Sequence, residues 1–256
     1  MTKKFNDIKS FSDLEIEFRK RIELDKTQFG IESAYLPIPH ICDKPEFCFV
    51  AMEPSLGKAS VESTRTNVER GYVNFLRAEV AYILHYCAYT YLCGSTFSYY
   101  LTDLSKGAMK TIMAARERDE RYLNWVDLLR SELSLLGQPM VVAVGDKVEE
   151  QLRKFKIDFV YTIPHYSWSN SHKVKRVYTN YEQEYPLSSI AGIQNKLSEF
   201  RAKLLDQIKY PDVLKKEEIN IPIRIANAIW KQRLFLVYRA QFKEIRRIQI
   251  SKQKEE

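Results

Sequence analysis

Glu53, Asp103 and His165 are the residues best suited to chemistry, because each stands where a short apolar or aromatic run stops. The runs are Phe47-Cys-Phe-Val-Ala-Met-Glu-Pro-Ser-Leu-Gly57, Tyr99-Tyr-Leu-Thr-Asp-Leu-Ser-Lys-Gly107 and Tyr161-Thr-Ile-Pro-His-Tyr-Ser-Trp-Ser-Asn-Ser-His172. A fourth, Pro139-Met-Val-Val-Ala-Val-Gly-Asp-Lys-Val148, ends at a glycine. A short apolar run that breaks into polar turn residues reads as a buried strand feeding a loop. In an open parallel sheet such loops gather at the carboxyl edge, where ligands bind. Two carboxylates and an imidazole, far apart in sequence, could therefore share one pocket. There they could orient water and donate hydrogen bonds.

The elements between the runs are mostly helical. Residues 10–25 carry Leu14, Phe18, Ile22 and Leu24 at helical spacing, with Ser12 as an N-cap. Residues 36–46 contain three prolines and read as a loop, and Ser60 to Arg70 reads as a polar, mobile loop. Helices are expected over 74–92, 107–136, 147–154, 188–208 and 219–250. Strands alternating with helices predict an α/β fold: a three-layer α/β/α arrangement around a mainly parallel sheet of about four strands. The expected division is an α/β domain over 1–210 and a basic helical extension over 211–256.

The chain has 256 residues, 45% of them hydrophobic, which is enough to bury a substantial core. No run is apolar and long enough to cross a bilayer, and Met1-Thr-Lys-Lys-Phe5 is not followed by a signal-peptide core. A cytoplasmic monomer without membrane contact is the expectation. The four cysteines form no Cys-x-x-Cys pair and the four histidines show no zinc spacing, so neither a metal site nor any other cofactor is expected. The net charge is +7, and residues 201–256 alone carry 14 Lys and Arg against 7 Asp and Glu. A polyanionic partner such as DNA suits that balance. The plainer reading of the helix at 219–250 is a packed helix with a solvated basic face; extra DNA or substrate contacts are the functional one.

Taken in order, the four runs resemble the motifs of the uracil-DNA glycosylase superfamily. Ala51-Met-Glu-Pro-Ser55 matches its first loop and Leu101-Thr-Asp-Leu-Ser-Lys106 its recognition strand. Val141-Val-Ala-Val-Gly145 matches its Leu-Gly strand, and His165-Tyr-Ser167 its His-Pro-Ser loop. The resemblance covers roughly residues 45–200. It implies a glycosylase-like fold and a metal-free enzyme that flips a base out of DNA and cleaves its glycosidic bond, leaving an abasic site. An iron–sulfur ligand of some branches falls at Gly107, so no cluster is implied.

The resemblance also assigns roles. Glu53 would position the attacking water and His165 would donate to the base O2; a loop cap and a structural histidine are the plainer alternatives. Phe75, or its rival Tyr72, would stack on the extruded base, unless both are core. Ser167 would bind a phosphate, and Tyr166 or Trp168 would fill the vacated stack, unless Trp168 is core. Lys106 is grouped with the DNA-binding residues, although the lysine that follows the recognition strand in the family is usually structural. Asp103 stands where uracil-removing relatives carry Asn. A carboxylate suits the exocyclic amine of cytosine and, when protonated, can also donate to cytosine N3. Capping a helix from Leu104 onward is the alternative. Ser55 replaces a tyrosine that excludes groups at C5. Asp103 and Ser55 together point to a C5-modified cytosine, such as the glucosylated hydroxymethylcytosine of phage DNA, in antiviral defence. A uracil-DNA glycosylase of base-excision repair and a non-catalytic DNA-binding relative are the competing readings. An unrelated nucleotide-binding domain lacks its phosphate-cradling glycines here.

Overall fold

The computed structural model describes residues 8–76 and 78–253. Met1 to Asp7, which carry the signal-peptide argument, lie outside the described residues.

Helix α1 (Phe11–Phe29) is capped by Ser10, whose hydroxyl accepts from the Asp13 backbone N–H, and not by Ser12. Strand β1 (Ala34–Tyr35) follows, then β2 (Phe47–Ala51). Residues Val61–Glu69, expected as a mobile loop, form helix α2. A reciprocal capping box between Ser60 and Ser63 holds its start, and Val61, Thr64 and Val68 pack inward. Helix α3 (Glu79–Cys87) starts five residues later than expected and runs into a π-helical turn (Ala88–Leu92).

Strand β3 (Tyr99–Asp103) is followed by β4 (Gly107–Ala108), which pairs with β1 as an antiparallel ribbon. The long helix expected over 107–136 is therefore replaced by this strand and three shorter helices, α4 (Thr111–Ala114), α5 (Arg118–Leu123) and α6 (Val126–Leu135). Gly107 permits the ribbon, since a Cβ there would lie 2.7 Å from Ser33 Oγ. Strand β5 (Met140–Val144), helix α7 (Asp146–Lys154), strand β6 (Tyr161–Ile163) and helix α8 (Ser171–Tyr178) come next. Helices α9 (Ile193–Gln207), α10 (Asp212–Asn220) and α11 (Ile229–Gln253) complete the order.

The four expected strands form one parallel sheet in the order β3-β2-β5-β6. Alternate residues face opposite sides. Phe47, Phe49, Tyr99, Leu101, Val142 and Val144 pack against α3, α8, α9 and α11. Cys48, Val50, Tyr100, Val141 and Ala143 pack against α5, α6 and α7. Helices thus cover both faces, which is why the strands read as continuous apolar runs.

The division at residue 210 does not describe this packing. Leu234 to Tyr238 and Phe242 of α11 are buried in the same core as β2, and the rings of Phe242 and Phe49 lie 5.4 Å apart. The C-terminal segment is part of the main core because its apolar residues cover one face of the sheet. No helix among the described residues is long and apolar enough to cross a membrane.

Candidate active site

The carboxyl ends of β2, β3 and β6 open into one cavity of about 300 Å³. Its walls include Glu53 and Ser55 after β2, Asp103 at the end of β3, and His165, Tyr166 and Ser167 after β6; Asn74 and Phe75 close it from the segment before α3. A wider groove of about 600 Å³ between α1 and α2 gathers none of these residues.

Backbone hydrogen bonds fix the loops. Leu104 N–H donates to Ala51 O at 2.8 Å and Ser105 N–H to Met52 O at 3.1 Å, which ties the two loops together. Gly145, with φ of 98°, donates to Ile163 O at 2.8 Å. A Cβ at that glycine would stand 3.2 Å from His165 Cβ, so the β5 glycine lets the histidine loop approach.

Asp103 is buried, and its Oδ2 accepts a 2.5 Å hydrogen bond from Asn74 Nδ2. Asn74 Oδ1 accepts from Phe75 N–H at 2.8 Å, and Asn74 N–H donates to Pro37 O at 2.7 Å. Phe75 is buried with φ of 61°, a left-handed conformation unusual for an aromatic residue. His85 Nε2 lies 3.2 Å from its carbonyl oxygen. Burial pushes the Asp103 carboxyl up to about 8; Glu53 and Glu132 reinforce the rise, while Lys106 and the Asn74 hydrogen bond oppose it. Near neutral pH this carboxyl is largely protonated, so it can both donate and accept. Leu104 begins no helix, so the capping alternative for Asp103 fails.

His165 Nδ1 accepts from Ser167 N–H at 3.0 Å, which assigns the ring proton to Nε2. Burial lowers its pKa to about 4. His165 is therefore a neutral N–H donor at the cavity wall. Tyr166 stacks on its ring, with centroids 4.6 Å apart, and packs against the core. That position makes Tyr166 a wall residue and unsuits it as a wedge. Trp168, 71% exposed, is neither in the core nor engaged in the wall. Ser167 Oγ accepts from Asn170 Nδ2 at 2.7 Å and lies 2.8 Å from Ser169 Oγ.

Glu53 lines the cavity, but its carboxylate is strongly held. Oε1 accepts from Arg118 Nη2 at 2.9 Å, and Oε2 from Arg121 Nη2 at 3.3 Å and from the Tyr122 hydroxyl. Three of about four lone-pair sites are thus taken, leaving room for one more donor, such as water. Arg118, Arg121 and Tyr122 stand at i, i+3 and i+4 on α5, a same-face spacing visible in the sequence. Without knowing that β2 ends opposite α5, that spacing names no partner. Asn74, a second residue not singled out by its motif, is an ordinary turn residue until the fold brings Asp103 beside it.

Besides Trp168, two expected site residues lie outside the cavity. Lys106 is 1% exposed and gives its three protons to Thr102 Oγ1 (2.5 Å), Asp103 O (2.5 Å) and Glu132 Oε2 (2.8 Å). It cannot touch DNA, because it neutralises a buried glutamate behind the sheet. Tyr72 donates its hydroxyl to Glu217 Oε2 at 3.3 Å and lies under Arg70, outside the cavity. Its place in the chain, three residues before Phe75, turns it toward α10. Ser55 lies on the cavity wall, with its Oγ accepting from Gly57 N–H at 3.1 Å. Among the described residues no group of three or more His, Cys, Asp or Glu could hold a metal ion, and the four cysteines are free.

Neither a scan of protein-family models nor a search of curated proteins finds a match for this chain.

Proposed function

We propose that the protein is a monofunctional DNA glycosylase acting on a cytosine-type base with a substituent at C5, such as the glucosylated hydroxymethylcytosine of phage DNA. The observation that carries the reading is convergence. Glu53, Phe75, Asp103 and His165, from four separate stretches of chain, line one cavity at the carboxyl edge of the sheet.

The chemistry follows from the groups present. A flipped pyrimidine enters the cavity against Phe75. A protonated Asp103 donates to the ring N3 and accepts from the exocyclic amine. His165 Nε2–H donates to the base O2, where negative charge grows as the glycosidic bond lengthens. That bond breaks with its electron pair leaving on the base. The Asp103 proton neutralises the base, and water held by the remaining acceptor of Glu53 adds to C1′. The proton lost by water re-enters the solvent pool that reprotonates Asp103. Ser55 adds no bulk to the wall, so a C5 substituent has space.

A second reading has its own support. Two arginines and a tyrosine already occupy the Glu53 carboxylate, which favours a cavity that captures an extruded base without hydrolysis. Abasic-site formation in oligonucleotides separates the two. His165→Ala should slow strand scission after alkali by on the order of 10²-fold, the usual cost of one such donor. Binding of modified-cytosine DNA without abasic sites would favour capture. Wild-type rates in His165→Ala would remove the donor assignment.

A further inference from the structure

Asn74 is fully committed in a way that constrains its neighbour. Its Oδ1 accepts from Phe75 N–H at 2.8 Å, so the amide orientation is set by chemistry: the opposite flip would turn the Nδ2 donor onto the Phe75 N–H donor. Nδ2 must then be the atom that donates to Asp103 Oδ2 at 2.5 Å. The Asn74 backbone is itself anchored by its N–H on Pro37 O, and the following Phe75 is held at φ of 61°. The segment can hardly shift without losing all three contacts.

We infer that Asn74 is a positioning residue that sets the hydrogen-bond polarity of Asp103. By donating to Oδ2 it reserves that oxygen as an acceptor and leaves Oδ1 to carry the carboxyl proton. The carboxyl then offers one donor and one acceptor side by side. The matching ligand edge is a ring acceptor beside an exocyclic amine, which is the edge of an aminopyrimidine. A uracil edge reverses both of these, placing a ring N–H donor beside a carbonyl acceptor, and meets the wrong pattern at each position. The substrate class rests on the glycosylase reading; the polarity itself does not.

The groups facing Asp103 are known from every side. Lys106 reaches its backbone carbonyl from the β3–β4 loop, Glu53 approaches from the β2 loop, Glu132 from α6 and Tyr166 from the β6 loop. Among these and Asn74, Lys106 and the Asn74 amide are the two that favour the ionised carboxyl. Lys106 stabilises it by charge alone and leaves both carboxyl oxygens equivalent. Asn74 bonds one oxygen and so distinguishes them.

The test has one readout independent of any substrate. The Asp103 carboxyl carbon is followed by ¹³C NMR through a pH titration in the full-length protein, assigned with Asp103→Asn. Asn74→Ala removes the donor and should move the midpoint up by on the order of one pH unit, since a hydrogen bond to a charged group is worth more than one to a neutral group. Asn74→Asp keeps an acceptor for Phe75 N–H but replaces the donor with a carboxylate, and should move it further up. This second variant separates loss of polarity from loosening of the turn. An unmoved midpoint in both variants overturns the inference. In parallel, oligonucleotides carrying hydroxymethylcytosine or uracil are assayed for binding and base release. Asn74→Ala should reduce the wild-type preference for cytosine about tenfold. A strong wild-type preference that survives Asn74→Ala overturns the inference as well. A shifted midpoint with neither base bound by wild type refutes the glycosylase reading and leaves the polarity role intact.

Discussion

Replacing Lys106 by methionine should destabilise the protein severely and, under the DNA-binding reading proposed above, leave the salt dependence of that binding unchanged. The side chain is 1% exposed, and so is Glu132, whose Oε2 receives the ammonium at 2.8 Å. Thr102 Oγ1 donates to both Glu132 oxygens at 2.9 Å while accepting from Lys106, and Tyr100 donates to Oε1 at 3.3 Å. Methionine fills nearly the same space, so packing changes little. What remains is a buried carboxylate that has lost its countercharge, and removing one partner of a buried pair costs about 3–5 kcal/mol. A domain of this size holds about 5–15 kcal/mol in all, so the variant should be marginal at 37 °C. Urea unfolding monitored by tryptophan fluorescence measures the loss. Lys106→Met with Glu132→Leu should recover about 2 kcal/mol or more of it, because the orphan charge is gone. A single-variant loss below about 1 kcal/mol would refute the ion-pair argument. A reduced salt dependence of DNA binding in the folded variant would refute the structural assignment of Lys106.

Glu53→Gln should lower base release on the order of 10²-fold and also destabilise the fold by about 3 kcal/mol, since Arg121 is fully buried and loses its countercharge; parallel kinetics and thermal unfolding check both. The folded Asp103 carboxyl titrates near 8, above its unfolded value, so its ionisation removes stability as pH rises from about 4 through 8. Subtracting the stability of Asp103→Asn across that window should reveal a falling difference of a few kcal/mol. His85 and His165 are lowered to about 3 and about 4 by burial, so their contribution is full above the unfolded histidine pKa and is lost as pH falls toward those values. Acid unfolding should therefore begin below about pH 6, as circular dichroism would record. Deleting residues 229–256 should abolish folding, because Leu234 to Tyr238 and Phe242 each contribute about 1.5–3 kcal/mol of burial; a soluble, cooperatively unfolding truncation would contradict that.

The sheet was legible in the sequence because both of its faces are covered, so each strand is a short unbroken apolar run ending at a turn. That logic also brought Glu53, Asp103 and His165 to one edge. Sequence periodicity failed where few apolar residues do the packing. In α2 a capping box and three inward residues suffice to make a helix of a Ser- and Thr-rich stretch. Over 107–136 the apolar pattern continues across a strand pair that only Ser33 and Gly107 reveal. For α11 the aromatic and basic composition offered a packed helix beside a DNA-contacting one, and the buried run from Leu234 to Tyr238 agrees with the packed helix. At the site, the partners of each charge were illegible because they lie far away in the chain. Glu53 meets Arg118 and Arg121, Lys106 meets Glu132, and Asn74 meets Asp103. A lone carboxylate at a strand end looks the same in sequence whether it faces water or two guanidinium groups.

The most direct measurement is mass spectrometry of the small-molecule fraction after incubating the protein with three matched duplexes, bearing cytosine, uracil or glucosylated hydroxymethylcytosine. The free modified cytosine base should appear in amounts equal to the abasic sites formed. Less uracil should be released, with a shift toward uracil in Asp103→Asn. Efficient uracil release with every cytosine derivative untouched would contradict the role given to Asp103. Release of no base from any duplex by the folded protein would contradict the glycosylase assignment itself.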